Sequence, residues 1–289
     1  STFREPALPA VRLSAGQGLW TVESAQDNAL TLDCCESRTD GGEWQPRTPV
    51  IGLMKQLLAR RRDCEIELRF SFAMEMDPEE AGHVCLVLER PDQFRIRVNG
   101  TEVPGADEGY YKDISFRKIP IARALKRGRN EILLSTRFHQ SPHVYETLFG
   151  DGVYETELNK LTYDMELESI YLIGRFGVFG TRPMERTERG GLWSGPDFVL
   201  KNLPETLESG DFTHQGFAFF AGVLSVSKIL VVQKQDGVRV LLDLGHPRAP
   251  VVQLLVNGAE QKTFLWAPYV CDITDSVKNG GNKIELRLY

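Results

Sequence analysis

An internal repeat constrains the fold of this chain more than any other feature of its sequence. The first copy starts at Arg95 as RIRVNG and ends in the strand NEILLSTRF, and the second starts at Gln253 as QLLVNG and ends in NKIELRLY. In both, a strand ends in Val-Asn-Gly, and an aromatic-rich connection, a short helical turn, a glycine and an asparagine precede an alternating strand. Asn-Gly favours a tight turn between strands, and a glycine that ends a helical turn takes the left-handed conformation. Because the match is long and ordered, it predicts two copies of one β-domain.

The two copies differ in the length of their aromatic-rich connection. Asn99 and Asn130 are 31 residues apart, whereas Asn257 and Asn282 are 25 apart. A six-residue difference in a surface loop costs little free energy, so it does not argue against the repeat. We align Asp272-Ile273-Thr274 of the second copy with Asp113-Ile114-Ser115 of the first.

Short apolar runs with strand-like alternation fill most of the remaining chain, for example 64–72, 93–99 and 251–257. Gly, Pro, Asn and Asp separate them, which is typical of sandwiches and jelly rolls. The sequence therefore predicts an all-β chain of two tandem jelly-roll β-sandwiches. The stretch 180–198 is rich in Gly, Pro and charge, and we place the domain boundary there, with domains 1–188 and 189–289.

One helix and one insertion interrupt the strand pattern. Thr48 is a plausible N-cap and Pro49 suits the first helical position, so a short helix is predicted at 49–60. Its apolar residues recur at helical spacing and predict one buried face, formed by Val50, Ile51, Met54, Leu57 and Leu58. Residues 139–167 are polar and weakly periodic, which indicates a loop or helix insertion.

Composition excludes several classes of protein. The 289 residues carry 34 Lys and Arg against 40 Asp and Glu, a net charge of −6, which argues against nucleic acid as the partner. No apolar run approaches the ~20 residues that cross a bilayer, and no signal peptide is recognisable, so we expect no membrane partner and a cytoplasmic location. The five cysteines form no C-x-x-C motif and are predicted to be reduced, mostly buried thiols. No Cys/His set has zinc spacing, so we expect no metal ligands and no cofactor.

The second copy carries a recognisable pattern: V-N-G, an aromatic residue, then D-I-T-x-x-(V/L)-x-x-G-x-N-x-(I/L)-x-(L/V). It resembles the galactose-binding-like β-jelly rolls, or sugar-binding domains, of glycoside hydrolases. The nearest relatives are those of glycoside hydrolase family 2 and of large bacterial α-L-rhamnosidase-like enzymes. The first copy departs from the pattern at Ser115, where the family has Thr. The matching positions of the second copy are Val256-Asn257-Gly258, Trp266, Pro268-Tyr269, Asp272-Ile273-Thr274, Gly281 and Asn282.

The resemblance implies a function as well as a fold. Large members of these families carry a catalytic barrel elsewhere in the chain, and nothing here reads as eight strand–helix units. The sequence also lacks an initiator Met, so we expect a non-catalytic C-terminal portion of a larger glycoside hydrolase. Its role would be carbohydrate binding and scaffolding, with the upstream catalytic domain as partner. A structural Ca²⁺ occurs in related jelly rolls, although no dense Asp/Asn loop marks one here.

Two other functions fit the same sequence. The domains could be purely structural and brace a catalytic barrel. Alternatively, the chain could be a self-contained glycosidase with its site between the two sandwiches, using carboxylates of the insertion. Glycosidases use two carboxylates roughly 5–9 Å apart, and no motif here fixes such a pair, so we name no catalytic residue.

Aromatic side chains are the candidate sugar contacts, because the CH-rich face of a pyranose stacks on a flat ring. Trp266 and Tyr269 form the best cluster, and Tyr110 and Tyr111 take the equivalent place in the first copy. Trp44 and Trp193 stand among glycines, which let a ring lie against the backbone. The competing interpretation is that these rings cover sandwich ends or pack between domains.

Overall fold

A computed structural model describes residues 8–289. Its contacts divide the chain into two units. Unit 1 joins the residues as far as Asn28 with Leu203–Tyr289, and unit 2 is the continuous segment Ala29–Asn202. This division differs from the expected break between residues 188 and 189. The first two strands, Ala10–Ser14 and Leu19–Ala25, group with the C-terminal part of the chain because they pair with strands that begin at residues 206, 224 and 239.

Strands make up most of the regular structure of residues 8–289, and three α-helices accompany them. The strands are β1 (Ala10–Ser14), β2 (Leu19–Ala25), β3 (Asn28–Leu32), β4 (Cys34–Thr39), β5 (Gln45–Pro49), β6 (Cys64–Met74), β7 (Cys85–Glu89), β8 (Arg95–Val98), β9 (Thr101–Val103), β10 (Tyr110–Tyr111), β11 (Asp113–Pro120), β12 (Gly128–Phe138), β13 (Ile170–Gly174), β14 (Gly177–Gly180), β15 (Glu185–Arg186), β16 (Leu192–Trp193), β17 (Phe198–Lys201), β18 (Thr206–Glu208), β19 (Leu224–Val232), β20 (Arg239–Asp243), β21 (Val252–Val256), β22 (Ala259–Phe264), β23 (Val270–Asp272) and β24 (Gly280–Leu288). The helices are α1 (Val50–Arg60), α2 (Pro142–Phe149) and α3 (Glu155–Leu158).

Unit 2 contains two main sheets and a core formed by alternate residues. Its larger sheet has the order β14-β17-β6-β12-β8-β9, with β4 added beside β6 and β5 beside β4. Its smaller sheet has the order β10-β11-β7-β13-β3. Along β6, Ile66, Leu68 and Phe70 are buried, while Glu67 and Arg69 between them remain partly exposed. This alternation gives the sheet one apolar and one charged face.

Unit 1 repeats this arrangement. Its larger sheet has the order β18-β2-β19-β24-β21-β22, and its smaller sheet has the order β1-β20-β23. The strands β2-β19-β24-β21-β22 therefore correspond to β4-β6-β12-β8-β9 of unit 2. The prediction of all-β sandwiches is confirmed, and the shared strand order shows that the repeat is two copies of one fold. Unit 2 lies within unit 1 in sequence, so the copies do not simply follow one another along the chain.

The repeated asparagines make the same hydrogen bonds in both units. In unit 2, Asn99 Nδ2 donates to Asn130 Oδ1 at 2.8 Å, and Asn130 Oδ1 also accepts from the Lys126 N–H at 2.9 Å. In unit 1, Asn257 Nδ2 donates to Asn282 Oδ1 at 2.9 Å, and that oxygen accepts from the Lys278 N–H at 2.9 Å. Both Asn130 and Asn282 are fully buried, so these networks satisfy polar groups that water does not reach.

The aligned Asp-Ile pairs occupy different places in the fold, so that part of the sequence alignment is wrong. The Ile121 N–H donates to Val84 O at 3.0 Å, and the Ile273 N–H donates to Val240 O at 2.9 Å. These carbonyls belong to corresponding segments at the start of β7 and β20, so Ile121 is the true counterpart of Ile273. The two aspartates look alike in sequence because each begins an Asp-x-Ser/Thr turn. In both turns the carboxylate accepts a hydrogen bond from the N–H two residues ahead.

The six additional residues of unit 2 therefore precede Ile121, in the region of the β10–β11 hairpin. Tyr110 pairs with Arg117 in that hairpin. Arg117 stands four residues before Ile121, as Tyr269 stands four before Ile273. Tyr110 and Tyr111 consequently lie on an extra strand and are not the counterparts of Trp266 and Tyr269.

Asp272 provides a test of the local turn in unit 1. Hydrogen bonds from the Thr274 side chain and N–H, followed by Arg239, lower the pKa of the Asp272 carboxyl. Its stabilising effect is therefore present above the unfolded pKa of about 4 and is lost as pH falls through the lower folded value. We expect Asp272→Ala to lower the free energy of unfolding by about 1 kcal/mol at pH 7, and by less at pH 3. Urea unfolding at both pH values measures this, with exposed Asp275→Ala as the control.

Helix α1 confirms the predicted short helix, although its start and its buried face differ in detail. Thr48 and Pro49 remain in β5, paired with Cys35 and Cys34, so the helix begins at Val50 without a side-chain cap. Ile51, expected in the apolar face, is exposed. The buried residues of α1 are Val50, Leu53, Met54, Leu57 and Leu58.

The expected insertion contains α2 and α3, as the prediction of a loop or helix insertion allowed. Among the residues from 8 onward, no helix combines the length and apolar character that a membrane span requires.

Candidate functional site

Trp44 is the predicted aromatic residue with the most polar surroundings. It lies between β4 and β5 and is half-buried. The guanidinium of Arg69 lies 4.0 Å from the centre of its ring, and that of Arg38 lies 4.7 Å away. Arg69 is paired with Glu36 at 2.9 Å and Arg38 with Glu67, so carboxylates fix both arginines against the ring.

A cleft of about 240 Å³ opens on the charged face of the larger sheet of unit 2, beside Arg38. It lies over strands β4, β6, β8 and β12, which contribute outward-facing residues by alternation. Gly41, with φ of 68°, allows the chain to turn at the edge of the cleft. The lining residues are Arg38, Gly41, Glu65, Ile66, Glu67, Arg95, Arg97 and Ser135.

The charges of this cleft are only partly paired. Arg95 Nε donates to Glu102 Oε2 at 2.8 Å, and this bond lowers the pKa of the Glu102 carboxyl. The bond between Arg38 and Glu67 raises the pKa of the guanidinium. Arg97 makes no ion pair with any residue that the structure describes. Glu65, which also lines the cleft, makes no ion pair within the described residues either, so the cleft offers one cation and one carboxylate outside close ion pairs.

The other predicted aromatic residues lie elsewhere. Trp266 is 74% exposed in the loop between β22 and β23. Tyr269 follows in the same loop and packs on the core of unit 1, with its ring 5.7 Å from that of Phe264. Tyr110 and Tyr111 lie on the edge strand β10, and Trp193 is exposed on the β15–β16 hairpin. Trp266 and Tyr269 are thus neighbours in one loop. The role of these five residues as sugar contacts remains a prediction.

Sequence reasoning missed the arginines and glutamates of the cleft. The sequence does contain a signal for them, because CEIELRF and RIRV alternate charged with apolar residues. The apolar residues predict the core, and the charged residues between them indicate an exposed face. Pairing of β4 with β6 then places Arg38 opposite Glu67 and Glu36 opposite Arg69. Opposite charges directly across two strands on one face stabilise the pairing of the strands.

The carboxylates near the insertion show a different arrangement. Glu89, Glu166 and Glu168 line a depression of about 20 Å³, room for little more than one water. Burial, then Glu166 and Glu89, raise the pKa of Glu168. Glu157 on α3 accepts a hydrogen bond from the Tyr154 N–H at 3.1 Å, which is a helix cap. The depression is too small for a sugar ring, so these carboxylates give no support to a self-contained glycosidase.

None of the five cysteines, all within the described residues, forms a disulfide, and all except Cys34 are buried. Burial first, with Asp33 next, raises the pKa of Cys34 to about 11, and burial followed by Cys34 raises that of Cys35 to about 12. Both are therefore protonated at neutral pH. At pH 8 we expect iodoacetamide to alkylate them roughly 100-fold more slowly than in the chain unfolded by urea. Mass spectrometry of the labelled peptides measures this, and equal rates in both states would contradict it.

One group of side chains in residues 8–289 has the composition of a metal site: His83, Cys85 and Glu108, whose ligand atoms lie within 4.8 Å of one another. No spacing of Cys and His residues in the sequence indicates this group. Glu108 is distant in sequence and is brought close by the pairing of β7 with β11 and of β11 with the segment before it.

Part of the chain is similar in sequence to a known protein. No protein-family model matches the chain. A 78-residue stretch is 32% identical to a protein named "Putative beta-glucuronidase" from Formosa agariphila, covering 26% of this chain and 7% of that protein. The proteins that this chain resembles are glycoside hydrolases. This match confirms the resemblance that the repeat pattern indicated.

Solved glycoside hydrolases overlay only loosely. For β-D-mannosidase from Dictyoglomus thermophilum the overlay covers 90% of this chain and 31% of the enzyme, at 11% identity and a TM-score of 0.34. For a β-glucuronidase from Ruminococcus gnavus the overlay covers 94% of this chain and 44% of the enzyme, at 10% identity and a TM-score of 0.34. For a rhamnosidase from Novosphingobium sp. PP1Y it covers 78% of this chain and 17% of the enzyme, at 17% identity and a TM-score of 0.25. The chain thus spans less than half the length of each of these glycoside hydrolases.

Proposed function

We propose that this chain is a non-catalytic, carbohydrate-binding portion of a glycoside hydrolase, and that the cleft beside Arg38 on unit 2 holds the sugar. The observation that carries the proposal is an open, charged cleft in which one lining residue, Arg38, packs against the ring of Trp44. Its volume of about 240 Å³ is slightly below the ~300–1,000 Å³ of sites for drug-sized ligands. It therefore suits one sugar ring and not a long oligosaccharide.

The chemistry of the lining matches a polyhydroxylated ligand. Each sugar hydroxyl both donates and accepts, and Glu65, Glu67 and Ser135 can accept while the arginines donate. Hydrogen bonds to charged groups are about twice as strong as those between neutral groups. Trp44, packed against the lining residue Arg38, would supply a flat ring beside the cleft for the apolar face of a sugar.

Arg97 further selects among sugars. Because no ion pair within the described part of the chain engages its guanidinium, Arg97 can form a bidentate pair with a ligand carboxylate. A sugar acid, such as a uronic acid, provides this carboxylate together with the hydroxyls. The similarity to a protein named as a β-glucuronidase agrees with this choice.

Calorimetric titration tests the proposal with glucuronic acid, galacturonic acid, glucose, galactose, mannose and rhamnose. We expect the uronic acids to bind more tightly than the neutral sugars, and Arg97→Ala to weaken uronic acid binding roughly tenfold. Arg127→Ala, which changes an exposed arginine outside the cleft, is the matched control. Absence of binding by all six sugars at millimolar concentration would refute the proposal.

The alternative of bracing a catalytic domain is favoured by a different surface. Ile229 and Val231, alternate residues of β19 in unit 1, are 63% and 71% exposed. Two apolar side chains on one face suit contact with another domain of the same protein. If they do this, replacing both with serine lowers the melting temperature of the longer protein but not that of this chain alone. Equal effects on both would exclude the contact.

A further inference from the structure

We propose that His83, Cys85 and Glu108 of unit 2 form a binding site for Zn²⁺. Cys85 Sγ lies 3.1 Å from His83 Nε2, and the same nitrogen lies 2.7 Å from Glu108 Oε2. Thiolate, imidazole and carboxylate are the three side-chain ligands that zinc takes in proteins, and three protein ligands leave a fourth position for water.

The three ligand atoms lie within 4.8 Å of one another, so small side-chain movements bring them to the spacing of a tetrahedral ion. Zinc bonds of about 2.0–2.3 Å place neighbouring ligand atoms roughly 3.4–3.6 Å apart. The two observed pairs need to separate by less than about 1 Å to admit the ion. His83 and Glu108 have side chains 59% and 49% exposed, so both can make that adjustment by rotation, while the sulfur of Cys85 stays fixed on β7.

The backbone holds the three ligands in place. The Ile121 N–H donates to Val84 O at 3.0 Å and so anchors the short segment that carries His83 and Cys85. The Glu108 N–H donates to Lys118 O at 2.9 Å. Lys118 in turn pairs with Val87 of β7, so all three ligands belong to adjacent, hydrogen-bonded segments.

The geometry distinguishes a metal site from a catalytic Cys-His-Glu triad. A triad needs the thiol and the carboxylate on opposite ring nitrogens of the histidine. Here both approach Nε2, so they compete for one proton. A cation at this position can contact all three ligand atoms at once. Binding then releases the thiol proton, and any proton on Nε2, to solvent.

The competing explanation is a surface His83–Glu108 ion pair beside a buried thiol. It predicts no stoichiometric metal and no sulfur–metal bond. Titration of the full chain with Co²⁺, followed by Zn²⁺, separates the two explanations, because a thiolate–cobalt bond gives a charge-transfer band in the near ultraviolet that Zn²⁺ displaces.

We expect one Co²⁺ per chain with this band, and displacement by one Zn²⁺ measured by calorimetry and native mass spectrometry. His83→Ala and Glu108→Gln, both changes at exposed positions, should weaken Zn²⁺ binding at least tenfold. Cys85→Ser should abolish the band. His139→Ala and Cys34→Ser are the matched controls and should bind as the parent chain does.

Three results would overturn the proposal. They are a chain that binds no Zn²⁺ at 1:1 stoichiometry, a cobalt spectrum without the thiolate band, or unchanged affinity in His83→Ala. If Cys85→Ser does not fold, the two exposed variants still decide the question.

Discussion

Replacing Asn282 with alanine is expected to lower the free energy of unfolding by about 3 kcal/mol. The Asn282 side chain is fully buried and makes four hydrogen bonds. Its oxygen accepts from Asn257 Nδ2 and the Lys278 N–H, and its Nδ2 donates to Lys278 O and Gly280 O. Removing it leaves these groups without partners, and each buried unpaired group costs about 1–3 kcal/mol. Urea unfolding followed by circular dichroism measures the loss.

The repeat supplies an internal comparison for this prediction. Asn130 makes the corresponding bonds in unit 2, with Asn99, Lys126 and Gly128, so Asn130→Ala should cost a similar amount there. Asn159→Ala, at an exposed position after α3, is the control and should change stability by less than about 0.5 kcal/mol. A loss below about 1 kcal/mol in both buried variants would show that the asparagine network does not stabilise either copy.

Replacing Trp44 with alanine is expected to weaken uronic acid binding by roughly tenfold or more. The change removes the ring for stacking, and it also frees Arg38 and Arg69 from the surface that fixes them beside the cleft. Both effects weaken sugar binding, because the ring of Trp44 would contact the apolar face of the sugar and the arginines would bind its hydroxyls. Calorimetric titration with glucuronic acid gives the affinity of each variant.

Two further variants make this result interpretable. Trp44→Phe keeps a flat ring and should retain most of the affinity, whereas Trp193→Ala removes an exposed ring on the β15–β16 hairpin and should change nothing. Thermal melts of each variant show whether the fold is intact. If Trp44→Ala binds glucuronic acid as tightly as the parent chain, Trp44 has no part in the site.

Much of the fold was predictable because its determinants are local. The Val-Asn-Gly turns and the buried asparagines are short patterns with fixed geometry, and the left-handed conformation of Gly128 and Gly280 follows from them. The alternation along β6 likewise gave its buried face. The error at Asp113 arose because an Asp-x-Ser turn looks the same wherever it lies, and only strand pairing shows that Ile121 is the counterpart of Ile273.

The candidate sites were less predictable because long-range pairing builds them. Arg38 and Glu67 meet only through the β4–β6 register, and Glu108 meets His83 only through the hairpin that extends the sheet at β11. A single aromatic residue is visible in the sequence, so Trp44 was predicted, whereas the arginines against it are brought there by strand pairing. The alternation of charged and apolar residues indicates an exposed charged face, but only the register shows which charges meet.

A crystal structure of the full chain with glucuronic acid is the most direct test of carbohydrate binding at the unit 2 cleft. We predict one sugar in this cleft, with its carboxylate hydrogen-bonded to Arg97 and its ring beside Trp44. A sugar bound at the Trp266 loop instead, or no sugar in crystals saturated with the ligand, would contradict the proposed site.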